Sequence, residues 1–267
     1  MKGRVLIIAG SDSGGGAGIQ ADIKTVTMLD AFAATAVTAL TAQNTLGVFG
    51  VLPIAPEFIR RQIEVVLDDI GADAVKTGML HDKGVIEAVA EVLGERASSI
   101  PLVVDPVMVA KGGAPLIEPG AIEALTHLLV PQAAILTPNL PEAEILLGRP
   151  IDSLAAMQSA AEQLLGLGCR AVLLKGGHLA GDTVYDVLAT ADGLRVWESP
   201  RIDSRHTHGT GCTLASAIAA GLAQGLRVEV AVERAREYVR RAILSAPGLG
   251  RGHGPLDHAH PLRASSP

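Results

Sequence analysis

His206-Thr-His-Gly-Thr-Gly-Cys-Thr-Leu-Ala-Ser-Ala-Ile-Ala-Ala-Gly221 begins as a glycine-rich turn and continues as an unbroken small-apolar helix pattern. Gly209, Thr210, Gly211 and Cys212 fall at the junction, where the first backbone N–H groups of a helix have no intrahelical partner. Those donors, with the positive end of the helix dipole, make an anion site. Glycine lets a phosphate approach the backbone because no Cβ blocks it. Cys212 falls in the first helical turn, where a lowered thiol pKa is expected. The stretch predicts a phosphoryl-transfer centre.

The composition around that turn favours a sheet covered by helices. Of 267 residues, 48% are apolar, 19% charged and only 2% aromatic. Ala, Leu, Val and Ile therefore fill the core, which suits a parallel sheet better than a sandwich. Scarce aromatics argue against nucleic-acid binding by base stacking. A net charge of -6 leaves no basic excess to neutralise a phosphate backbone. Cys169 and Cys212 match neither a disulfide nor a zinc spacing, as in a reduced intracellular protein. The apolar run Val5–Ala9 is too short for a signal peptide, and no stretch approaches the ~18 apolar residues of a membrane span. A cytoplasmic protein with no membrane or nucleic-acid partner is expected.

Strand and helix patterns alternate along the chain. Val5–Ala9 reads as a strand, 10–18 as a glycine loop and 19–29 as a helix. This loop fits neither the dinucleotide fingerprint nor the P-loop, which disfavours an NAD enzyme. Further strands are expected at 34–43, 50–54, 73–79, 101–104, 133–137 and 171–175, with a hairpin over 183–198 about Ala191-Asp-Gly. Helices are expected at 56–70, 83–93, 119–129, from Pro138, at 153–165, within 206–225 and at 228–244. Asp105 follows a strand, at the edge where α/β folds bind ligands, and a flexible basic loop follows at 109–114. The tail, 248–267, is expected to be draped or loose. The whole of 1–267 reads as one α/β domain with a central, mostly parallel sheet and helices on both faces.

Seven blocks occur in order: AGSDSGGGAGIQAD (9–22), AQNT (42–45), KTGM (76–79), VVDPVMVAKGG (103–113), LTPNLPEAE (136–144), LLKGGH (173–178) and HTHGTGCT (206–213). Together they closely resemble the hydroxymethylpyrimidine/phosphomethylpyrimidine kinases of thiamine biosynthesis, within the ribokinase-like superfamily. The similarity runs from about residue 4 to about 260. HTHGTGCT and the 9–22 block are specific to this branch, whereas TPN-x-x-E and the G-x-G turn are shared more widely.

The resemblance implies a role for each matching residue. The turn Gly209, Thr210, Gly211 and Cys212 becomes the catalytic anion hole, with Cys212 where most ribokinase-like enzymes carry an Asp base. Asn139, Lys175 and Thr210 contact ATP. Asp105 and Glu142 hold Mg²⁺, mainly through water. Gln43 reads the pyrimidine edge, and Gly10, Asp22, Met79 and Val107 line the pyrimidine pocket. Ser13 replaces a Pro of some relatives, a change expected to matter little. The implied partners are ATP, a pyrimidine alcohol and its monophosphate, and a second copy of the chain in a homodimer.

Blander and rival readings stand beside these. Cys212 or Met79 alone fits core packing, Lys175 a solvated strand end, Asp105 a turn former, and Glu142 an ordinary helix start. His206, His208 and Cys212 invite a zinc hydrolase, but their spacing matches no zinc motif. A non-catalytic binding protein retains every site residue. The nearest rival is a pyridoxal or pyridoxine kinase of the same branch, because pyridoxal also carries a hydroxymethyl group on a nitrogen heteroaromatic ring.

Overall fold

The computed structural model describes residues 1–108 and 118–264. Among these, nine strands form one sheet in the order β3-β2-β1-β4-β5-β6-β7-β8-β9. The strands are β1 (Arg4–Asp12), β2 (Phe32–Asn44), β3 (Gly47–Pro53), β4 (Ala74–Thr77), β5 (Leu102–Val104), β6 (Ile135–Leu136), β7 (Ala171–Lys175), β8 (Thr183–Thr190) and β9 (Gly193–Pro200). The central strands β2, β1, β4, β5, β6 and β7 are parallel. The edges turn antiparallel, through the β2–β3 pair on one side and β7–β8–β9 on the other.

Side-chain alternation along β1 explains why both faces are covered. Leu6 and Ile8 point into one core with Val75, Val104 and Leu136, and Val5, Ile7 and Ala9 point into the other with Val103, Ile135 and Leu173. The first core lies under α2 (Pro56–Asp69), α3 (Lys83–Arg96), α4 (Pro119–Ala124), α5 (Leu140–Leu147) and α6 (Leu154–Leu165). The second lies under α1 (Gly18–Met28), α7 (Thr210–Ala223) and α8 (Val228–Leu244). Every residue of α7 from Thr213 to Gly221 is buried, which is why the helix is built from small side chains: it is packed against the sheet, α1 and α8.

Element by element, the sequence pattern and the structure agree, with shifts of up to three residues at the ends. The helix expected over 119–129 begins as α4 and passes into a π-helical turn at Leu125–Leu129. The glycine-rich loop expected at 109–114 lies outside the described residues, as do 265–267. The tail expected to be draped or loose is anchored from 253 onward. His253 N–H donates to Thr45 O, Leu256, Asp257 and His258 are buried, and α9 (His260–Ala264) follows. Tyr238 of α8 donates its hydroxyl hydrogen to the His258 carbonyl at 2.7 Å. An apolar side chain and a buried hydrogen bond are enough to order a segment that its composition presents as a linker.

Candidate active site

The C-terminal ends of β1, β4, β5, β6 and β7 open on one edge of the sheet, where α/β folds bind ligands. A cavity of about 420 Å³ lies there, and its wall includes Gly209, Thr210, Gly211 and Cys212. The turn feeding α7 therefore forms part of the cavity, as the sequence predicts. Gly209 caps the helix with φ +85°, and a Cβ on it would meet Gly16 O at 1.9 Å. Only glycine fits. Thr213 N–H is the first to bond back, to Gly209 O, so the N–H groups before it have no i−4 acceptor within the helix.

On one side of the turn stands a cluster of charge. Lys175 Nζ donates to Asp105 Oδ1 at 3.0 Å, and Thr137 Oγ1 lies 3.3 Å from the same oxygen. Gly211 approaches this pair closely, since a Cβ there would lie 3.3 Å from Lys175 Nζ. Asn139 and Glu142 share a capping box at the start of α5. Asn139 Oδ1 accepts from Glu142 N at 2.9 Å, and Glu142 Oε2 accepts from Asn139 N at 2.8 Å. The helix-start reading of Glu142 is thus correct as structure, yet the residue also lines the cavity. Burial first, and the nearby Asp105 carboxylate second, push Glu142 up to about 7 against the opposing pull of Lys175.

The opposite side of the cavity is lined by Gly10, Gln43, Met79 and Val107. Asp22 is not there. It is fully buried behind the wall, where both its oxygens hold Lys76 Nζ at 3.0 and 2.8 Å and Oδ1 accepts from Ser216 Oγ at 2.7 Å. The residue of this pair that does line the cavity is Lys76. The signal for it was in the sequence: one charged side chain inside the apolar strand pattern Ala74-Val-Lys-Thr77. Burial opposes the charge of this lysine, but Asp22, foremost among the surrounding acidic groups, and Asp105 and Cys212 together outweigh it and hold Lys76 well above the usual lysine range.

The expectation of an acidic thiol at Cys212 is overturned. Cys212 keeps one face on the cavity but is otherwise enclosed, and burial pushes its thiol up to about 12. Lys76 and the Gly18 N–H act in the opposite sense, while Asp22 and Asp105 add to the rise. Position at a helix N-terminus is outweighed by loss of water. Cys169, expected to be structural, is buried and likewise pushed up, to about 11.

Three further residues hold the acceptor side. Asp12 accepts backbone N–H bonds from Gly14, Gly16 and Ala17 at 2.8–3.0 Å, and so folds the glycine loop around itself. Burial opposes its charge, but His208 and these N–H groups keep it below the usual carboxylate range. His208 reaches Asp12, whereas His206 lies against Arg205 and Gly254. Among the described residues no group of three His, Cys, Asp or Glu forms a metal cluster, so the zinc reading gains no geometry. Ser13 matters more than expected. Its hydroxyl donates to Gln43 O at 2.9 Å and accepts from Gln43 N at 2.8 Å, which a proline could not do.

The phosphomethylpyrimidine kinase family model matches residues 12–257. The thiamine biosynthesis bifunctional protein ThiED of Geobacter sulfurreducens is 54% identical over 96% of this chain, which spans 52% of that longer protein. The hydroxymethylpyrimidine/phosphomethylpyrimidine kinase of Bacillus subtilis is 48% identical, covering 96% of this chain and 94% of the relative. Among solved structures, an ADP complex of Bacillus subtilis pyridoxal kinase superposes with a TM-score of 0.90 at 37% identity, over 99% of this chain and 100% of that one.

Proposed function

The chain belongs to the phosphomethylpyrimidine kinase family, and from that premise we propose how its cavity works as an ATP-dependent kinase. It phosphorylates 4-amino-5-hydroxymethyl-2-methylpyrimidine to the monophosphate, and that product to the diphosphate, for thiamine biosynthesis. One observation carries the reading: the 209–212 turn shares one cavity with Lys175, Asp105, Asn139 and Glu142 as donor side and with Gly10, Gln43, Met79 and Val107 as acceptor side. Phosphoryl transfer needs positioning and charge neutralisation more than covalent chemistry. The Gly211 and Cys212 N–H groups, which have no acceptor within the helix, face the transferring phosphoryl oxygens, Lys175 offsets phosphate charge, and Thr210 and Asn139 add polar contacts.

Asp105 and Glu142 fit a Mg²⁺ site. Both are hard oxygen donors, their mutual repulsion calls for positive charge, and Mg²⁺ typically takes one or two carboxylates together with nucleotide phosphates. Such an ion would supply further neutralisation of the phosphates. Gln43, Gly10, Met79 and Val107 hold the pyrimidine, and Asp22 serves that pocket through Lys76. In the first transfer the alcohol oxygen bonds to the γ-phosphorus as its bond to ADP breaks, and the alcohol proton leaves. Cys212 takes that proton only as its thiolate, the minor form at neutral pH because burial pushes the thiol up to about 12. In the second transfer the nucleophile is a phosphate oxygen, already anionic near pH 7.

The test is ATP consumption on adding the pyrimidine alcohol, with mass spectrometry of both phosphorylated products. ATP turnover that ignores the alcohol would sink the assignment. A pyridoxal kinase is the second reading, favoured by the TM-score of 0.90 to one such enzyme; kcat/KM for the two ring alcohols separates them. We also infer a homodimer through the β2–β3 edge, where Leu46, Phe49 and Leu52 are 57%, 70% and 61% exposed. Phe49→Asp should lower the mass seen by light scattering to that of one chain. Both cysteines are free and no described helix is long and apolar enough to cross a membrane, which supports a cytoplasmic location; fractionation of the native cells tests it.

A further inference from the structure

Gln43 is gripped twice. Ser13 clasps its main chain, and its side-chain amide is placed with Oε1 3.3 Å from Thr41 Oγ1 and Nε2 3.3 Å from His208 Nε2. The oxygen and the NH2 of an amide have nearly the same shape, so the neighbouring groups decide which end faces which.

Asp12 makes that decision. Its Oδ1 accepts from Gly14 N, and its Oδ2 accepts from Gly16 N and Ala17 N. A carboxylate so used is ionised and can only accept. His208 Nε2 lies 2.9 Å from Oδ2, so it must carry a hydrogen and donate it, whether the ring is neutral or charged. An amide NH2 beside that nitrogen would set donor against donor; an amide oxygen there shares the hydrogen. At the far end, the Thr41 hydroxyl hydrogen goes to Ser11 O at 2.9 Å, leaving its lone pairs to accept from the Gln43 NH2. The glycine loop packs on the His208 ring, where a Cβ at Gly16 would come within 2.6 Å of Cδ2. The ring therefore cannot swing away without moving the loop.

We propose that His208 is the positioning residue for substrate recognition, turning the Gln43 amide oxygen toward itself and the NH2 toward Thr41. The remaining lone pair and the remaining N–H then lie side by side at the cavity wall. They match a heteroaromatic ring carrying an amino group next to a ring nitrogen, one donor and one acceptor on adjacent atoms. A ring that offers a hydroxyl beside an alkyl or aldehyde carbon satisfies one of the two. This rests on the kinase reading above for the ring it selects, but the amide orientation stands on the hydrogen bonds alone.

Two measurements test it. Long-range ¹⁵N NMR of His208 in the ligand-free protein should show its hydrogen on Nε2; a hydrogen on Nδ1 alone overturns the proposal, whatever the enzyme's substrate. In kinetics, His208→Phe should raise KM for the aminopyrimidine alcohol roughly tenfold, as expected for one lost hydrogen bond to a charged group's network, with a smaller change in kcat. KM for ATP should stay as in the parent, and His208→Gln, whose amide can still donate to Asp12, should recover most of the loss. The preference for aminopyrimidine alcohol over pyridoxal should fall by the same factor. Equal losses on both alcohols, or no rescue by Gln, would overturn the specificity role. If the parent enzyme phosphorylates neither alcohol, the kinase reading fails separately, and the NMR result still decides the orientation.

Discussion

Two lysine–aspartate pairs flank the 209–212 turn and differ in what surrounds them. Lys76 and Asp22 are both fully buried, with two short contacts between them and Ser216 on the remaining demand. Lys175 and Asp105 make one contact at 3.0 Å, Lys175 keeps 13% of its side chain exposed, and Glu142 crowds them with a second carboxylate. The first pair is complete without a ligand. The second carries more negative charge than its lysine balances and opens on the cavity. A buried ion pair that satisfies itself belongs to the fold; one left unbalanced beside a cavity belongs to a ligand.

Removing each lysine is the strongest way to break this contrast. Lys76→Met leaves the Asp22 carboxyl, whose pKa burial already raises, without its cation in the interior, a loss of about 3–5 kcal/mol of stability, read by urea unfolding. The double variant Lys76→Met/Asp22→Leu should recover much of it, because replacing a buried pair by apolar side chains is often near neutral. Lys175→Met should instead cost roughly 10²–10³ in kcat for both transfers while the unfolding midpoint moves little. If Lys175→Met unfolds the protein as far as Lys76→Met does, the two pairs are not different in kind.

The contrast was half legible in the sequence. Lys175, Asp105, Asn139 and Glu142 stand in short motifs at strand ends that the resemblance ties to one site, although Lys175 and Asp105 lie 70 residues apart in the chain. The Lys76 pair was not legible as a pair, because β4, α1 and α7 meet only in the folded chain and the sequence placed Asp22 in the pocket itself. The same holds for Asp12, Ser13 and His208, whose bonds span 30 to 196 residues of chain. The thiol at Cys212 failed for a related reason: a helix N-terminus is visible in sequence, but enclosure is a property of packing. Period-two and helical patterns, by contrast, located nearly every described element, since they report burial directly.

Cys212 sharpens the comparison, because it feels both Lys76 and Asp105. Cys212→Ala should lower transfer to the alcohol by roughly 10², the low end expected for loss of a general base, because only the minor thiolate form of Cys212 can accept the proton. Transfer to the monophosphate, which needs no base, should fall far less. Equal losses would leave the thiol a packing role only.

The smallest effect comes from beneath the acceptor side. His258 of the tail lies 3.0 Å from the hydroxyl of Thr213, the residue after Cys212. Burial lowers His258 to about 4, helped by the charges of Lys24 and His260 and opposed by the Leu256 backbone, against an ordinary 6.5. Between those values the unfolded chain binds a proton that the folded chain refuses. Stability is therefore full above pH 6.5 and falls as pH drops toward 4, by about 2 kcal/mol at pH 5. His258→Gln cannot take up that proton, so its unfolding midpoint should lose less between pH 7 and pH 5 than that of the parent. If both proteins lose the same amount, the acid sensitivity lies elsewhere. If the parent alone softens, its tail should loosen from Thr213 first, and the acceptor side should fail before the Lys175–Asp105 side, which the tail does not touch through any of these bonds.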